Sequence, residues 1–252
     1  MYNYSLSSLK QQAKNTMKTT KPSVFLVTLV YFIIIAILSN LTARLSGMDK
    51  LYSEMYQYIA SGETLDYFEF ISQHMPNIGA FAGLLILLIS LMNAMLSAGY
   101  MGYCLKVSRG EQTRYMDIFR SFDTVHFGKA LGIVILMSIY VFLWSLLLVI
   151  PGIIAAYRYS QSFYIMYDHP DYSVTKCLRE SSRIMKGWKW KLFILELSFI
   201  GWRILNALLT AFIGVGFLDI FIQPFFGITK ANFYNLITGG VQNDAPPVWE
   251  NY

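Results

Sequence analysis

Five charged side chains, Arg158, Glu196, Arg203, Asp219 and Lys230, stand inside long apolar runs. A charge in hydrocarbon costs roughly 2.5–3.5 kcal/mol even on the mildest insertion scale, so such residues face one another, water or an anionic ligand. Two chemistries follow: closed ion pairs that tie helices together, or an open polar path for a substrate. Facing residues of an antiparallel hairpin keep a nearly constant index sum, and Glu196 with Lys230 and Arg203 with Asp219 give 426 and 422. Both sums predict pairs closed about one turn near residues 211–213. Arg158 has no counterpart in that register. It is left either to contact an anionic substrate or lipid headgroup, or to reach a helix C-terminal carbonyl or Glu196.

No other set of residues points to a reaction. His74, His126 and His169 lack ligand-like spacing, and the metal, thiol, nucleophile-elbow and phosphate-loop motifs do not occur. Catalytic residues, metal ligands and cofactors are therefore not expected, and the chain reads as a non-enzyme. Cys104 and Cys177, far apart in sequence, are expected to stay unpaired.

The elements that carry the five charges are membrane helices. The 252 residues are 55% hydrophobic and 14% charged, against roughly 25% charged in soluble domains, and mean hydropathy is +0.44. A formal net charge of +5 would suit a nucleic-acid partner if the basic residues shared one soluble face. They cluster instead at the ends of apolar runs, which makes them a topology signal and argues against nucleic acid. The predicted fold is all-α: a polytopic transmembrane bundle of six helices in one domain, 1–238, with a flexible cytoplasmic tail at 239–252. The spans fall at about 22–42, 78–105, 130–150, 153–168, 191–211 and 217–237. Between residues 130 and 167 the chain must turn back, and Pro151-Gly152 is the strongest breaker there. The return arm, only about 22 Å long at 1.5 Å per residue, leaves a full hairpin and a re-entrant one both open. Residues 1–21, 106–129 and 168–191 hold four, five and six basic residues against two in 44–75, which predicts cytoplasmic termini and an outer 44–75 segment.

Two basic amphipathic helices are expected on the membrane surface. In Ser5 to Lys18 a stripe of Leu6, Leu9, Ala13 and Met17 dips below the headgroups while Lys10 and Lys14 snorkel toward them. In Val174 to Lys186, capped by Asp171 or Ser173, the basic face is Lys176, Arg179, Arg183 and Lys186, and Trp188 and Trp190 anchor the following span at the interface. The acidic, aromatic outer segment suits two short helices interrupted at Ser61-Gly62, packed at the interface or forming a ligand hood. Gly79 and Gly83 form a small-xxx-small pair that permits close helix approach. Three times the chain runs from a basic surface segment into an apolar hairpin, which suggests a threefold repeat.

At VIPGIIAAYRYSQSFYIM, the turn DHPDYS, LRESSRIMKGWKWKLFILELSFIGW and the closing ANFYNLI, the sequence resembles a bacterial membrane-protein family, domain of unknown function 975. More distantly it is similar to the membrane domain of some glycerophosphodiester phosphodiesterases. The resemblance implies six helices in a bacterial plasma membrane and supplies no activity. The expected function is a non-enzymatic membrane scaffold or accessory module that grips anionic lipid, a partner protein or a second copy of itself. The alternative is a small transporter or lipid-handling protein working through Arg158 and the charged last hairpin.

Overall fold

Apolar runs that satisfy their own backbone hydrogen bonds become helices, and the computed structural model contains helices and no strands among the residues it describes, 5–62, 66–213 and 218–239. They are α1 (Leu6–Thr19), α2 (Val24–Ser46), α3 (Met48–Ala60), α4 (Tyr67–His74), α5 (Ala80–Ser108), a 3-10 helix (Tyr115–Phe122), α6 (Phe127–Leu147), α7 (Val149–Tyr159), α8 (Ser162–Asp168), α9 (Val174–Ile184), α10 (Lys189–Leu197), α11 (Ile200–Ile213) and α12 (Asp219–Ile237). Residues 1–31 with 95–252 form one compact unit and residues 32–94 another. In the second unit, α3 stops before Ser61 and Gly62, whose φ is +77°. Phe70 of α4 there packs against Tyr58 and stacks on His74.

Four stretches are long and apolar enough to cross a membrane: Val24–Ser46, Ala80–Ser108, Phe127–Leu147 and Lys189–Thr210. Two expected spans look different. The return arm is divided into α7, of 11 residues, and α8, of 7. α12 carries Asp219, Gln223, Lys230, Asn232 and Asn235 among its 19 residues, and its C-terminal half is largely enclosed, with Ile228, Thr229, Ala231, Phe233 and Tyr234 all buried. Neighbouring helices rather than lipid solvate most of its C-terminal half, so polar side chains there find protein partners.

The turn into α7 lies at Leu148, whose extended φ/ψ of −163°/151° breaks the helix, and not at Pro151-Gly152 as expected. Proline is tolerated in the first turn of a helix because its missing N–H would be unpaired there anyway. Gly152 serves close packing instead: a Cβ there would lie 2.0 Å from Ser145 Oγ of α6. The expected close approach at Gly79 and Gly83 is not made, since an added Cβ meets nothing nearer than 4.0 Å at either. The expected turn at 211–216 lies partly outside the described residues, and the tail from 240 onward wholly so.

Each surface helix ends five residues before an apolar helix begins: Thr19 to Val24, Phe122 to Phe127, Ile184 to Lys189. The fourth residues of those apolar helices, Val27, Ala130 and Leu192, are all fully buried. Each surface helix also seats against the helix that closes the preceding hairpin. α1 lies on α12, where Asn232 Nδ2 donates to Leu9 O at 3.1 Å. The 3-10 helix lies on α5, and α9 lies on α7 and α8, where Ser181 Oγ donates to Arg158 O at 2.9 Å and accepts from Gln161 N at 3.1 Å. The order is cyclic, the first surface helix resting on the last long helix. The apolar stripes of α1 and α9 are thus covered by protein, with Leu9, Ala13, Cys177, Leu178 and Ser181 buried, and that of α1 does not dip into lipid as expected.

At the 3-10 helix the approach is closest: a Cβ on Gly99 would stand 2.0 Å from the Ile118 carbonyl oxygen. Gly99→Ala is therefore expected to cost about 1–3 kcal/mol through overpacking against backbone, whereas Gly83→Ala is close to neutral. Thermal unfolding in detergent compares them, and equal melting temperatures would refute the contact.

Candidate functional site

The register argument places one ion pair correctly. Lys230 Nζ lies 2.8 Å from Glu196 Oε1, and Tyr157 Oη donates to Glu196 Oε2 at 2.7 Å, so three helices, α7, α10 and α12, meet on one carboxylate. Lys230 also faces the Phe226 ring at 5.2 Å. The second expected pair does not form. Arg203 lays its guanidinium over the Phe226 ring at 4.6 Å, while Asp219 opens α12 without an ion pair among the described residues. The cause is local. Ser198 and Phe199 separate α10 from α11, and a register carried by one straight helix ends at that break.

Arg158, in the last turn of α7, is brought to no carboxylate among the described residues. Its side chain lines a cavity of about 130 Å³ with Trp144, Pro151, Ile154 and Ala155. A second cavity, of about 230 Å³, lies between α1, α10 and α12, walled by Leu6, Leu9, Ile194, Phe233 and Leu236, with Trp188 and Lys191 also lining it.

The strongest polar cluster joins residues given no site role by sequence, Arg109 in the basic 106–129 segment and Asp168, Tyr234 and Asn235 near the ends of the expected 153–168 and 217–237 spans. Arg109, one residue past α5, binds Asp168 at the end of α8 through both Nη atoms at 2.6 and 2.7 Å. Its Nε donates to Asn235 Oδ1 at 3.1 Å, and Tyr234 Oη donates to Asp168 Oδ2 at 2.9 Å. Asn235 Nδ2 in turn donates to Ser108 Oγ at 3.0 Å. Burial alone would lower the Arg109 pKa, but the hydrogen bonds and charge of Asp168 more than offset it and hold the guanidinium charged. The one sequence hint was positional. Tyr103, Tyr164 and Tyr234 sit near the ends of α5, α8 and α12, and all three are fully buried.

The basic residues divide between solvent and aromatic faces. Lys14, Arg179 and Lys186 are exposed. Lys10 sits over Phe199 at 4.5 Å and Lys176 over Tyr172 at 3.5 Å, and Arg183 is tied to Glu180. Partial burial lowers the Lys10 pKa from its ordinary value. Trp188 stands edge-on to Phe233 with Lys191 over its ring at 4.1 Å, while Trp190 stacks on Phe193 at 5.0 Å and stays exposed. Cys104 and Cys177 are free and buried; burial first, partly offset by Lys129, pushes the Cys177 thiol up to about 11. His126 pairs its Nδ1 with Asp123 at 2.7 Å, and no group of three metal-binding side chains occurs among the described residues.

A model of the family described as "Protein of unknown function (DUF975)" matches residues 1–153 and 145–240. The chain belongs to this family. The two matches overlap at the α6–α7 turn, so the family pattern covers both the surface helices and the polar cluster at Arg109 and Asp168. No curated protein and no solved structure matches, and the more distant likeness to the phosphodiesterase membrane domain is not shown.

Breaking a buried ion pair by truncating one partner costs about 3–5 kcal/mol, because the other charge is left uncompensated; the half-buried Glu196–Lys230 pair should lose less. Glu196→Gln and Lys230→Met should each lower the detergent melting temperature, and Glu196→Lys with Lys230→Glu should recover part of the loss. Arg203→Gln and Asp219→Asn should be additive, with no recovery on reversal. Recovery at the second pair and none at the first would invert the assignment.

Proposed function

We propose that this protein is a non-enzymatic scaffold or accessory module of the bacterial plasma membrane, held at the cytoplasmic leaflet by anionic lipid. The observation that carries this reading is the disposition of α1 and α9. Their apolar stripes are covered by the protein's own long helices, while Lys14, Arg179 and Lys186 point outward. A helix whose apolar face is already occupied has only its charge to offer a membrane, and each basic residue near an anionic surface contributes about 1 kcal/mol. Both termini and the 106–129 and 168–191 segments then lie in the cytoplasm and residues 44–75 outside, in line with the basic-residue bias. The same basic faces are open to an acidic partner protein.

Transport is the weaker alternative. A conduit needs a wet path lined by polar groups, and the cavity at Arg158 is walled by Trp144, Pro151, Ile154 and Ala155. Glu196 is already engaged by Lys230 and Tyr157.

Reconstituted protein should melt at a higher temperature in phosphatidylglycerol bilayers than in phosphatidylcholine, with the difference shrinking at high salt. Removing the charges of Lys14, Arg179 and Lys186 together should erase most of it. An unchanged difference in that variant would sink the electrostatic reading. The orientation has its own check, made with Cys104 and Cys177 replaced. A cysteine at Ser61 should react with an impermeant maleimide on intact cells while one at Gln112 stays silent; the reverse pattern would overturn the topology.

A further inference from the structure

The α6–α7 hairpin presents two anomalies that one ligand would resolve. Arg158 is the intramembrane charge of this hairpin, and among the described residues its side chain has neither an ion pair nor a hydrogen bond. At the tip, Leu146, Leu147, Leu148, Val149 and Ile150 are five consecutive aliphatic side chains, each 67–72% exposed. Such a tip is expensive in water or among outer headgroups and comfortable in hydrocarbon.

Aromatic contacts set the depth of Arg158. Its neighbour Tyr157 packs edge-on against Phe193 at 6.2 Å, and Phe193 stacks on the exposed Trp190 of the Trp188–Lys191 cluster. Tyr159 faces Tyr140 at 5.6 Å. Tyrosine and tryptophan gather at the membrane–water interface, and Ser181 of α9 donates to Arg158 O at 2.9 Å, so Arg158 stands at the level of that basic helix, which the orientation proposed above sets at the headgroups. From there to Leu148 is ten residues of helix, or about 15 Å. That is half of a hydrocarbon core of about 30 Å. The tip therefore lies within the hydrocarbon, which accounts for its bare aliphatic side chains.

We propose that the groove running along this hairpin from Arg158 toward its tip binds one anionic phospholipid of the cytoplasmic leaflet, with Arg158 on its phosphate and an acyl chain along Ile154 and Trp144. This rests on the orientation proposed above. The guanidinium is the cation best matched to a phosphodiester, offering two parallel N–H donors and remaining charged at partial burial. The rest of the groove is hydrocarbon: Pro151, Ile154, Ala155 and the indole of Trp144. Its volume of about 130 Å³ is roughly ten times the space one water requires, enough for a phosphoryl group at the mouth. Ile154 and Trp144 are exposed on the outward side, so a chain can lie there without entering the protein.

Trp144 is a built-in reporter. Full-length protein is reconstituted in bilayers containing bromine-labelled phosphatidylglycerol or bromine-labelled phosphatidylcholine, and the signal of a Trp144→Phe variant is subtracted to isolate indole 144. Phosphatidylglycerol should be preferred about fivefold, the equivalent of one basic residue at an anionic surface. Arg158→Gln should bring the ratio to about one, and Arg158→Lys should keep most of it. Equal quenching by both lipids in the unaltered protein would overturn the site. A preference that survives Arg158→Gln would also overturn it, while leaving the wider reading of α1 and α9 intact. Loss of the preference on adding tens of millimolar inorganic phosphate at constant ionic strength would identify free phosphate, not lipid, as the ligand and overturn the proposal.

Discussion

The ion pair between Arg109 and Asp168 is the constraint on which one end of the long helices depends. A carboxylate at the C-terminal end of α8 sits at the unfavourable pole of that helix, where partial negative charge accumulates on unpaired carbonyls. It is tolerable because two guanidinium N–H groups and the Tyr234 hydroxyl reach it together. The guanidinium itself lies just past the end of α5, at the pole where a cation is favoured. Asn235 then joins Arg109 to Ser108. Three helix ends from three parts of the chain thus share one satisfied network, and removing any member leaves another polar group buried and unpaired.

With those ends tied, the surface helices have defined seats. Each occupies the space between one long helix and the next, and small side chains decide how closely it settles. Ala13, Ser121 and Ser181 have no exposed surface. Ser121 Oγ bonds Tyr167 Oη at 2.6 Å, and Tyr167 Oη donates to Ala98 O at 3.1 Å. Ser181 bonds the α7–α8 backbone in a comparable way. At the α7–α8 junction the Ser181 hydroxyl thus satisfies a carbonyl and an amide where one helix ends and the next begins, as irregular backbone enclosed by protein requires.

What was legible in the sequence follows from what periodicity can encode. Glu196 and Lys230 were found because an antiparallel pair has a fixed register and both charges are expensive in lipid. Arg203 and Asp219 obeyed the same arithmetic and failed, because the break at Ser198-Phe199 carries no proline or glycine to announce it. Pro151 misled in the opposite direction: its conformational restriction marks a helix boundary but suits the first turn of a helix as well as a break, and the boundary fell at Leu148. The amphipathic stripes of α1 and α9 were real, but a stripe specifies only an apolar neighbour and cannot distinguish acyl chains from α12. Arg109 and Asp168 were invisible because Arg109 was already accounted for as a basic topology signal and Asp168, at the end of an expected span, had no periodic register linking it to Arg109.

Two arginines show how protein solvation decides which intramembrane charge is left for a ligand. Arg203 is exposed on α11, yet its guanidinium lies on the Phe226 face, and the same ring serves Lys230 from another direction. A cation on an aromatic face gains about 0.5–2 kcal/mol, the higher figure when desolvated, so Arg203 is partly compensated by its own protein. Arg158 has no aromatic face within reach of its charge among the described cation–ring contacts, although Tyr157, Tyr159 and Trp144 are close by in the fold. Those rings are spent elsewhere, Tyr157 on Glu196 and Phe193, and Tyr159 on Tyr140. The hairpin therefore surrounds Arg158 with hydrocarbon and aromatic edges and, among the described residues, gives it no counter-charge, which is the state of a cation left open to an outside anion.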